Sequence, residues 1–331
     1  MSQTTDQPAG APAHTTKVTI LIPSAPYRSA DEVLINLQKI KPHGVDLEIF
    51  VIKGTWLPIQ RNMGIKAATG DYIFFFDDDI IIPPGIIEQA LKTFENNPDV
   101  QVVGGPNITP PENDYIQHCF GFAHASPFVG LETAARYRPT RGIKKVSEKH
   151  LITCNLAFRT KTLKENLFDP HICPNEENEL LARLSKKGHL LAYNPDFFIY
   201  HHRRKNVQAY VKQIFNWGRG RTLHSIKRPG HFDFTFFVPV VFLFYLLSLV
   251  WIHMPWYFLP LAAYCALDVI FSAGTAAEFK KVSSFFVMLV LFPLTHLTYA
   301  FGLLAGLSTL WRQDKTLPEE KDFLIIKIDL T

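Results

Sequence analysis

The apolar residues of this chain are unevenly distributed, and that segregation limits its possible folds more than any other feature. Hydrophobic residues make up 47% of its 331 residues, at the upper end for a purely water-soluble protein. Residues 1–230 read as an ordinary mixed domain, whereas residues 234–310 are dominated by Phe, Leu, Val and Ala with few charges. Two environments are implied. Three apolar stretches follow one another at 234–252, 256–271 and 284–307. A helix needs about 20 apolar residues to cross the hydrocarbon core, so the first and third are long enough and the second is marginal. Trp251, Trp256, Tyr257 and Trp311 sit near the ends of these stretches, as interfacial aromatic residues do.

The formal charge is only +4, but Arg203, Arg204, Lys205, Lys212, Arg219, Arg221, Lys227 and Arg228 are concentrated just before the apolar part begins. A cationic stretch beside a membrane segment suits anionic headgroups. Because its aromatic residues run straight on into the apolar part, membrane lipids rather than nucleic acid are the expected partner. Cys119, Cys154, Cys173 and Cys265 share no C-x-x-C spacing or disulfide-like framework, which fits a reducing compartment. Residues 1–16, rich in Ser, Thr, Gln, Ala and Pro, read as a disordered tail with no secretory leader.

Along the mixed part, short apolar runs alternate with helix-spaced segments. Strands are expected over residues 18–22, 47–52, 72–76, 100–103, 151–158 and 190–200, with helices over 31–40, 60–68, 85–96 and 176–187 and an irregular region over 104–149. Strand and helix in alternation predict an α/β domain whose mostly parallel sheet is sandwiched by helices. Its boundaries are expected at 17–202, followed by a basic interfacial segment at 203–232, about three transmembrane helices at 233–310 and a tail at 311–331. If the main domain is cytoplasmic, Lys280 and Lys281 also lie on the cytoplasmic side, in line with the positive-inside tendency. The chain is then a multi-pass protein of the inner membrane. Three crossings carry the tail to the far side, against its Arg312, Lys315, Lys321 and Lys327, unless Pro293 or His296 makes the third stretch re-entrant.

The strongest chemical signal is Phe74-Phe-Phe-Asp77-Asp78-Asp79, three consecutive carboxylates at the end of an apolar strand. Ligands of open α/β sheets bind beyond the carboxyl ends of the strands. Adjacent carboxylates repel and call for a cation, and Mg²⁺-like ions share carboxylate oxygens with substrate phosphates. The alternative is a solvated acidic turn.

With Val18-Thr-Ile-Leu-Ile-Pro23-Ser24, Gln60-Arg61-Asn62-Met-Gly64 and Ala68-Thr-Gly70-Asp71, this run resembles glycosyltransferase family 2, inverting enzymes of the GT-A fold. The resemblance implies a donor site of Pro23, Ser24, Arg61, Asp77 and Asp78. It also implies a Mn²⁺ or Mg²⁺ cofactor on Asp77 and Asp79, which eases departure of the nucleotide diphosphate. His202 or its neighbour His201 is a further candidate ligand, since imidazole binds metal or phosphate. Glu176 and Glu177, opening a helix after Pro174-Asn175, resemble the family's Glu-Asp pair, whose second acid deprotonates the acceptor hydroxyl. That makes Glu177 the expected base and Glu176 the alternative. Acidic residues also favour a helix's first turn through its dipole, a purely structural reading. Gln213, Trp217, Arg219 and Arg221 resemble the closing segment that meets acceptor and diphosphate, with Asn216 where the family carries Arg.

The expected function is a membrane-bound transferase moving a sugar from a nucleotide diphosphate, UDP by resemblance, to a hydroxyl of a lipid-linked or growing saccharide, in the manner of exopolysaccharide assembly. Lys53, standing where relatives carry acids, cannot accept the hydrogen bonds those acids take from the nucleotide. The alternatives are a polyprenyl-phosphate glycosyl synthase, whose ionised acceptor needs no base, and a non-catalytic protein that binds saccharide or partners. Three spans with few polar groups besides Asp268, Thr295 and His296 offer little material for an export channel.

Overall fold

A computed structural model describes residues 15–40, 42–308 and 316–329. The expected tail up to Ala13 and His14, together with Trp311, Arg312 and Lys315, lies outside the described residues. The elements follow in chain order as β1 (Thr16–Ser24), α1 (Asp31–Lys39), β2 (Val45–Lys53), α2 (Leu57–Ala67), β3 (Tyr72–Phe76), β4 (Ile80–Ile81), α3 (Ile86–Asn96), β5 (Val100–Gly104) and β6 (Asn107–Ile108). Next come α4 (Tyr115–Ala125), α5 (Pro127–Gly130), β7 (Lys144–Val146), β8 (Asn155–Arg159), α6 (Thr160–Lys164), α7 (Glu176–Lys186), β9 (Leu190–Tyr193) and β10 (Ile199–His201). The chain continues through α8 (Val207–Lys227), α9 (Val238–Ser248), α10 (Leu259–Glu278), α11 (Ser283–Gly306) and β11 (Leu324–Ile328).

Eight strands form one sheet in the order β11-β2-β1-β3-β8-β5-β9-β7. Strands β1, β2, β3, β5 and β9 run the same way, because β8 is antiparallel to both β3 and β5 while β1·β2, β1·β3 and β5·β9 are parallel. The sheet is therefore mostly co-directional, with β7, β8 and β11 reversed. Each face carries a core. Val18, Ile20, Ile22, Phe74 and Phe76 point to one, and Leu21, Ile52, Ile73 and Phe75 to the other, the strict alternation of a strand covered on both sides. A small second sheet, β4-β10-β6, stands at the carboxyl end of the main strands.

The Ala68-Thr-Gly70-Asp71 motif anchors the strands. The Asp71 carboxylate accepts from the Lys17 amide at 2.8 Å, and the Gly70 amide donates to Thr19 Oγ1 at 3.0 Å. Buried Glu48 accepts from Thr19 Oγ1 at 2.8 Å and from the Thr69 amide at 2.9 Å. Burial alone would push its carboxyl up, but the hydrogen bonds from Thr69 and Thr19 outweigh burial and hold it below the usual range. The stability it confers is present above the unfolded-state pKa and is lost as pH falls.

Three expectations need correcting. The segment 104–149 is not irregular throughout, since α4 lies in it behind a capping box formed by Asp114 and Gln117. The strand expected at 190–200 is two, β9 and β10, separated by a turn at Asn194. The spans also differ. Helical segments Pro255–Glu278 and Ser283–Gly306, 24 residues each, are long and apolar enough to cross a membrane. The first apolar stretch, by contrast, gives only the 15 helical residues of Phe234–Ser248, roughly 22–24 Å against a hydrocarbon core of about 30 Å. Helix α11 continues through Pro293.

Two features tie the apolar helices to the α/β domain. Strand β11 pairs antiparallel with β2 at the sheet edge, from Leu324 opposite Lys53 to Ile328 opposite Ile49. The chain therefore returns to the main sheet after α11. Helix α8 packs directly on α11, where a Cβ at Gly302 would lie 2.2 Å from the Phe215 carbonyl oxygen and one at Gly218 2.4 Å from that of Tyr299. Phe120 and Phe122 of α4, Tyr210 and Ile214 of α8, and Met288, Leu291 and Phe292 of α11 fill the space around this contact. Because backbone sits where a side chain would go, Gly302→Val is expected to cost about 1–3 kcal/mol through overpacking. A lower melting temperature in detergent checks this, and an unchanged melt would contradict it.

Candidate active site

The site is built where strands end. β3 delivers Asp77, Asp78 and Asp79 to the carboxyl edge of the sheet, and the turn runs straight into β4, whose Ile80 pairs with His201 of β10. That pairing brings the His201 imidazole to 3.2 Å from Asp79 Oδ1. Arg28 bridges the other side, with its guanidinium 3.0 Å from both Asp78 Oδ1 and Asp79 Oδ2. Arg28 is placed by Lys53, whose ammonium donates to Ser24 Oγ at 2.9 Å and to the Arg28 carbonyl. Lys53 thus secures the turn after β1. Burial, aggravated by Asp79 and Asp78 and opposed by His201, raises the Asp77 carboxyl, whereas the hydrogen bonds and charges of His201 and Arg28 overcome burial to hold Asp79 well down.

Gln60, Arg61 and Asn62, consecutive on α2, each make a different contact. Gln60 Nε2 donates to the carbonyls of Ser24 and Ile52 at 3.0 and 2.7 Å, closing the ends of β1 and β2. Asn62 exchanges two 2.9 Å hydrogen bonds with the Phe168 backbone, fixing the loop that precedes α7. Arg61, buried, donates to Glu176 Oε1. Glu176 is buried with its second oxygen unpartnered. Burial raises its carboxyl to about 7 despite Arg61. Glu177 is less enclosed and accepts from Asn178 Nδ2 at 3.0 Å.

Arg61, Asp77, Glu176, Glu177, His201 and Trp217 line one cleft of ≈270 Å³, whereas Asp78 and Asp79, beside it on Arg28, do not line it. His202 and Gln213 line it too, but His202 Nδ1 lies 2.6 Å from Asn113 Oδ1, so His201 is the imidazole beside the aspartates. Ligand atoms of Asp77, Cys154 and His201 lie within 4.8 Å of one another, and buried Asp78 Oδ2 lacks a partner. The carboxylate oxygens fit Mn²⁺ or Mg²⁺, and the imidazole beside them suits a transition ion such as Mn²⁺ better than Mg²⁺. The Cys154 thiol, pushed well up by burial and by Asp77, fits neither.

Trp217 and Arg221 face a second cavity, ≈200 Å³, while Arg219 is exposed and lines neither space. Pro23 lines neither cavity, and Ser24 is occupied by Lys53. Two further cleft residues, His124 and Tyr137, and Arg136 of the second cavity carried no motif, since they lie in the segment without periodicity.

A cleft at the strand ends of such a sheet, with an aspartate of the acidic run on one wall and a helix-borne pair of glutamates on another, fits a glycosyltransferase. Residues 44–220, more than half the chain, match the model of the glycosyltransferase-like family 2, and the protein belongs to that family. It is 32% identical over 225 residues to the dolichyl N-acetyl-α-D-glucosaminyl phosphate 3-β-D-2,3-diacetamido-2,3-dideoxy-β-D-glucuronosyltransferase of Methanococcus voltae, covering 66% of this chain and 67% of that one. A shorter match, 44% over 46 residues (14% and 15% of the two chains), is to the glucosyl-dolichyl phosphate glucuronosyltransferase of Haloferax volcanii. The fold is similar to that of the mannosyltransferase PcManGT from Pyrobaculum calidifontis, solved with GDP-Man and Mn²⁺. That likeness has a TM-score of 0.54 at 14% identity, covering 90% and 89% of the chains.

The raised Glu176 carboxyl has a stability consequence of definite sign. Its contribution is fully present below the unfolded-state pKa and is lost as pH rises towards about 7. Glu176→Gln is therefore expected to flatten the decline in stability across that window. Melting curves from pH 4.5 to 8 check it, and an unchanged slope would sink the assignment.

Proposed function

We propose that this protein transfers a sugar from a nucleotide diphosphate to a hydroxyl of a lipid-linked saccharide by a single inverting displacement. The observation that carries this is the cleft in which Asp77, His201 and Glu177 all meet. Asp77, Asp79 and His201 would hold the divalent cation. Bound there, Mn²⁺ or Mg²⁺ neutralises charge on the departing diphosphate. Arg28, paired with Asp78 and Asp79, offsets the like charges gathered there.

Glu177 is the general base. It faces the open cleft, and a sugar hydroxyl is a weak nucleophile until its proton is taken in the transition state. Glu176, buried on Arg61, is the positioning residue: it fixes α2 against the start of α7. Gln213 and Trp217 line the acceptor side. The two relatives named above act, by their names, on dolichyl-phosphate-linked sugars. Helices α10 and α11 supply a membrane anchor consistent with such an acceptor. With β11 back on the sheet, they cross as a hairpin, with the catalytic domain and the tail on one face, and α9 lies along that face. A hairpin is the crossing that agrees with Lys321 and Lys327 lying on the main domain's side.

Glu177→Gln is expected to lower transfer about 10²–10⁴-fold while nucleotide-sugar binding, measured by calorimetry, persists. Asp79→Ala is expected to abolish transfer and divalent-dependent donor binding together, and undiminished turnover in either variant would refute the mechanism. With polyprenyl phosphate as sole acceptor, labelled lipid formed as readily by Glu177→Gln as by wild type would point instead to a polyprenyl-phosphate glycosyl synthase.

A further inference from the structure

Beside this cleft, the second cavity is lined by Arg136, Lys149 and Arg221 together with Glu132 and Glu177. Arg136, from the 3₁₀ turn Leu131–Tyr137, and Arg221 of α8 both line it and are only 7% and 8% exposed. Arg136 donates to the carbonyls of Lys149 and Glu148 at 2.6 and 2.9 Å and to Asn178 Oδ1 at 2.7 Å, all of them neutral acceptors. Arg221 lies 3.8 Å over the Phe236 ring and has an Nε without a partner. Among the described residues neither guanidinium is in a salt bridge, and Lys149, on the same wall, is already paired with Asp233 at 2.5 Å. The two guanidiniums are close enough to repel each other, and Glu177 and Glu148 nearby do not outweigh burial and that repulsion at Arg136. A pair of buried, like-charged cations is costly without an anion, and guanidinium is the group best suited to grip a phosphate.

The remaining walls say what else the anion carries. Val129, Leu131, Ile214, Phe236 and Pro239 make them apolar. Phe236 and Pro239 belong to the segment where the chain turns into its apolar helices. His124, Tyr137, Ile152, Asn175, Glu177 and Trp217 line both cavities, so a molecule seated in one extends past Glu177 into the other. A soluble anion has no use for the apolar walls, and a plain hydrocarbon chain has none for two arginines.

We infer that this cavity seats the phosphoryl group of a long-chain isoprenoid phosphate or diphosphate, held by Arg136 and Arg221, so that the sugar it carries reaches Glu177. The inference rests on the lipid-linked acceptor proposed above, and adds the residues that recognise its phosphate.

Farnesyl diphosphate, farnesol and inorganic pyrophosphate, added separately to the full-length protein in detergent, test it through thermal shift. Farnesyl diphosphate is expected to stabilise the wild type where the other two do not. Arg136→Gln and Arg221→Gln should each weaken its binding about 10–100-fold, and Arg136→Gln should leave nucleotide-sugar affinity unchanged within about twofold. Unchanged farnesyl diphosphate affinity in both variants would overturn the inference. Equal binding of pyrophosphate would make the site one for a soluble anion, and equal binding of farnesol a purely apolar one; either result also overturns it. If the variants fail to fold, wild-type kinetics decide: farnesyl diphosphate should compete with the lipid acceptor and not with the nucleotide sugar, and competition with the nucleotide sugar alone would refute the assignment. Failure to bind nucleotide sugar at all is a different result, and removes the transferase reading itself.

Discussion

The close packing of α8 is the constraint on which the rest of the molecule depends. On one side it meets α11 backbone to backbone at Gly218 and Gly302, and on the other a Cβ at Gly220 would come within 2.6 Å of Pro174 Cγ. A single helix is therefore wedged between the apolar hairpin and the turn that introduces Glu176 and Glu177. Without the small residues, side chains would hold these backbones apart, and Trp217 would not reach the cleft. Tyr210 and Thr295, their hydroxyls 2.8 Å apart, lock the same contact by a buried hydrogen bond, the kind of polar link that holds apolar helices in register.

From that wedge follows a separation of charge. The strand ends collect three aspartates, tempered by Arg28 and His201, and the 3₁₀ turn Leu131–Tyr137 and α8 present Arg136 and Arg221 to the second cavity. Glu177 and Trp217 stand between the two spaces. Asp77 and the two arginines thus stand on either side of Glu177. Burial strengthens the field of each, because the effective dielectric is low there.

Much of this was legible beforehand. Strands β1, β2 and β3 show as compact apolar runs ended by breakers, and the aspartates fall where β3 stops, so the acidic end of the site needed only local pattern. Other parts were hidden for physical reasons. Helix α4 is buried on nearly every side, from Gln117 through Cys119 to Ala125, so it carries no amphipathic stripe. The first apolar stretch has enough residues for a span, but Phe234–Phe237 is a 3₁₀ turn and the α-helix ends at Ser248. His201 and His202 are indistinguishable by position in the chain, and the pairing of β10 with β4 decides which meets the aspartates.

The amino-acid order by itself determined the class of fold, the apolar helices, and the residue types at the two ends of the reaction, because each depends on contacts within a few positions of the chain. Only the tertiary structure decided that Arg61 belongs to Glu176, that Arg28 covers the aspartates, that residues 324–328 come back to the sheet, and that Arg136 faces Arg221 across a cavity. Those partners lie far apart in sequence, and which buried charge meets which is set by how helices and strands pack, information that no local pattern carries.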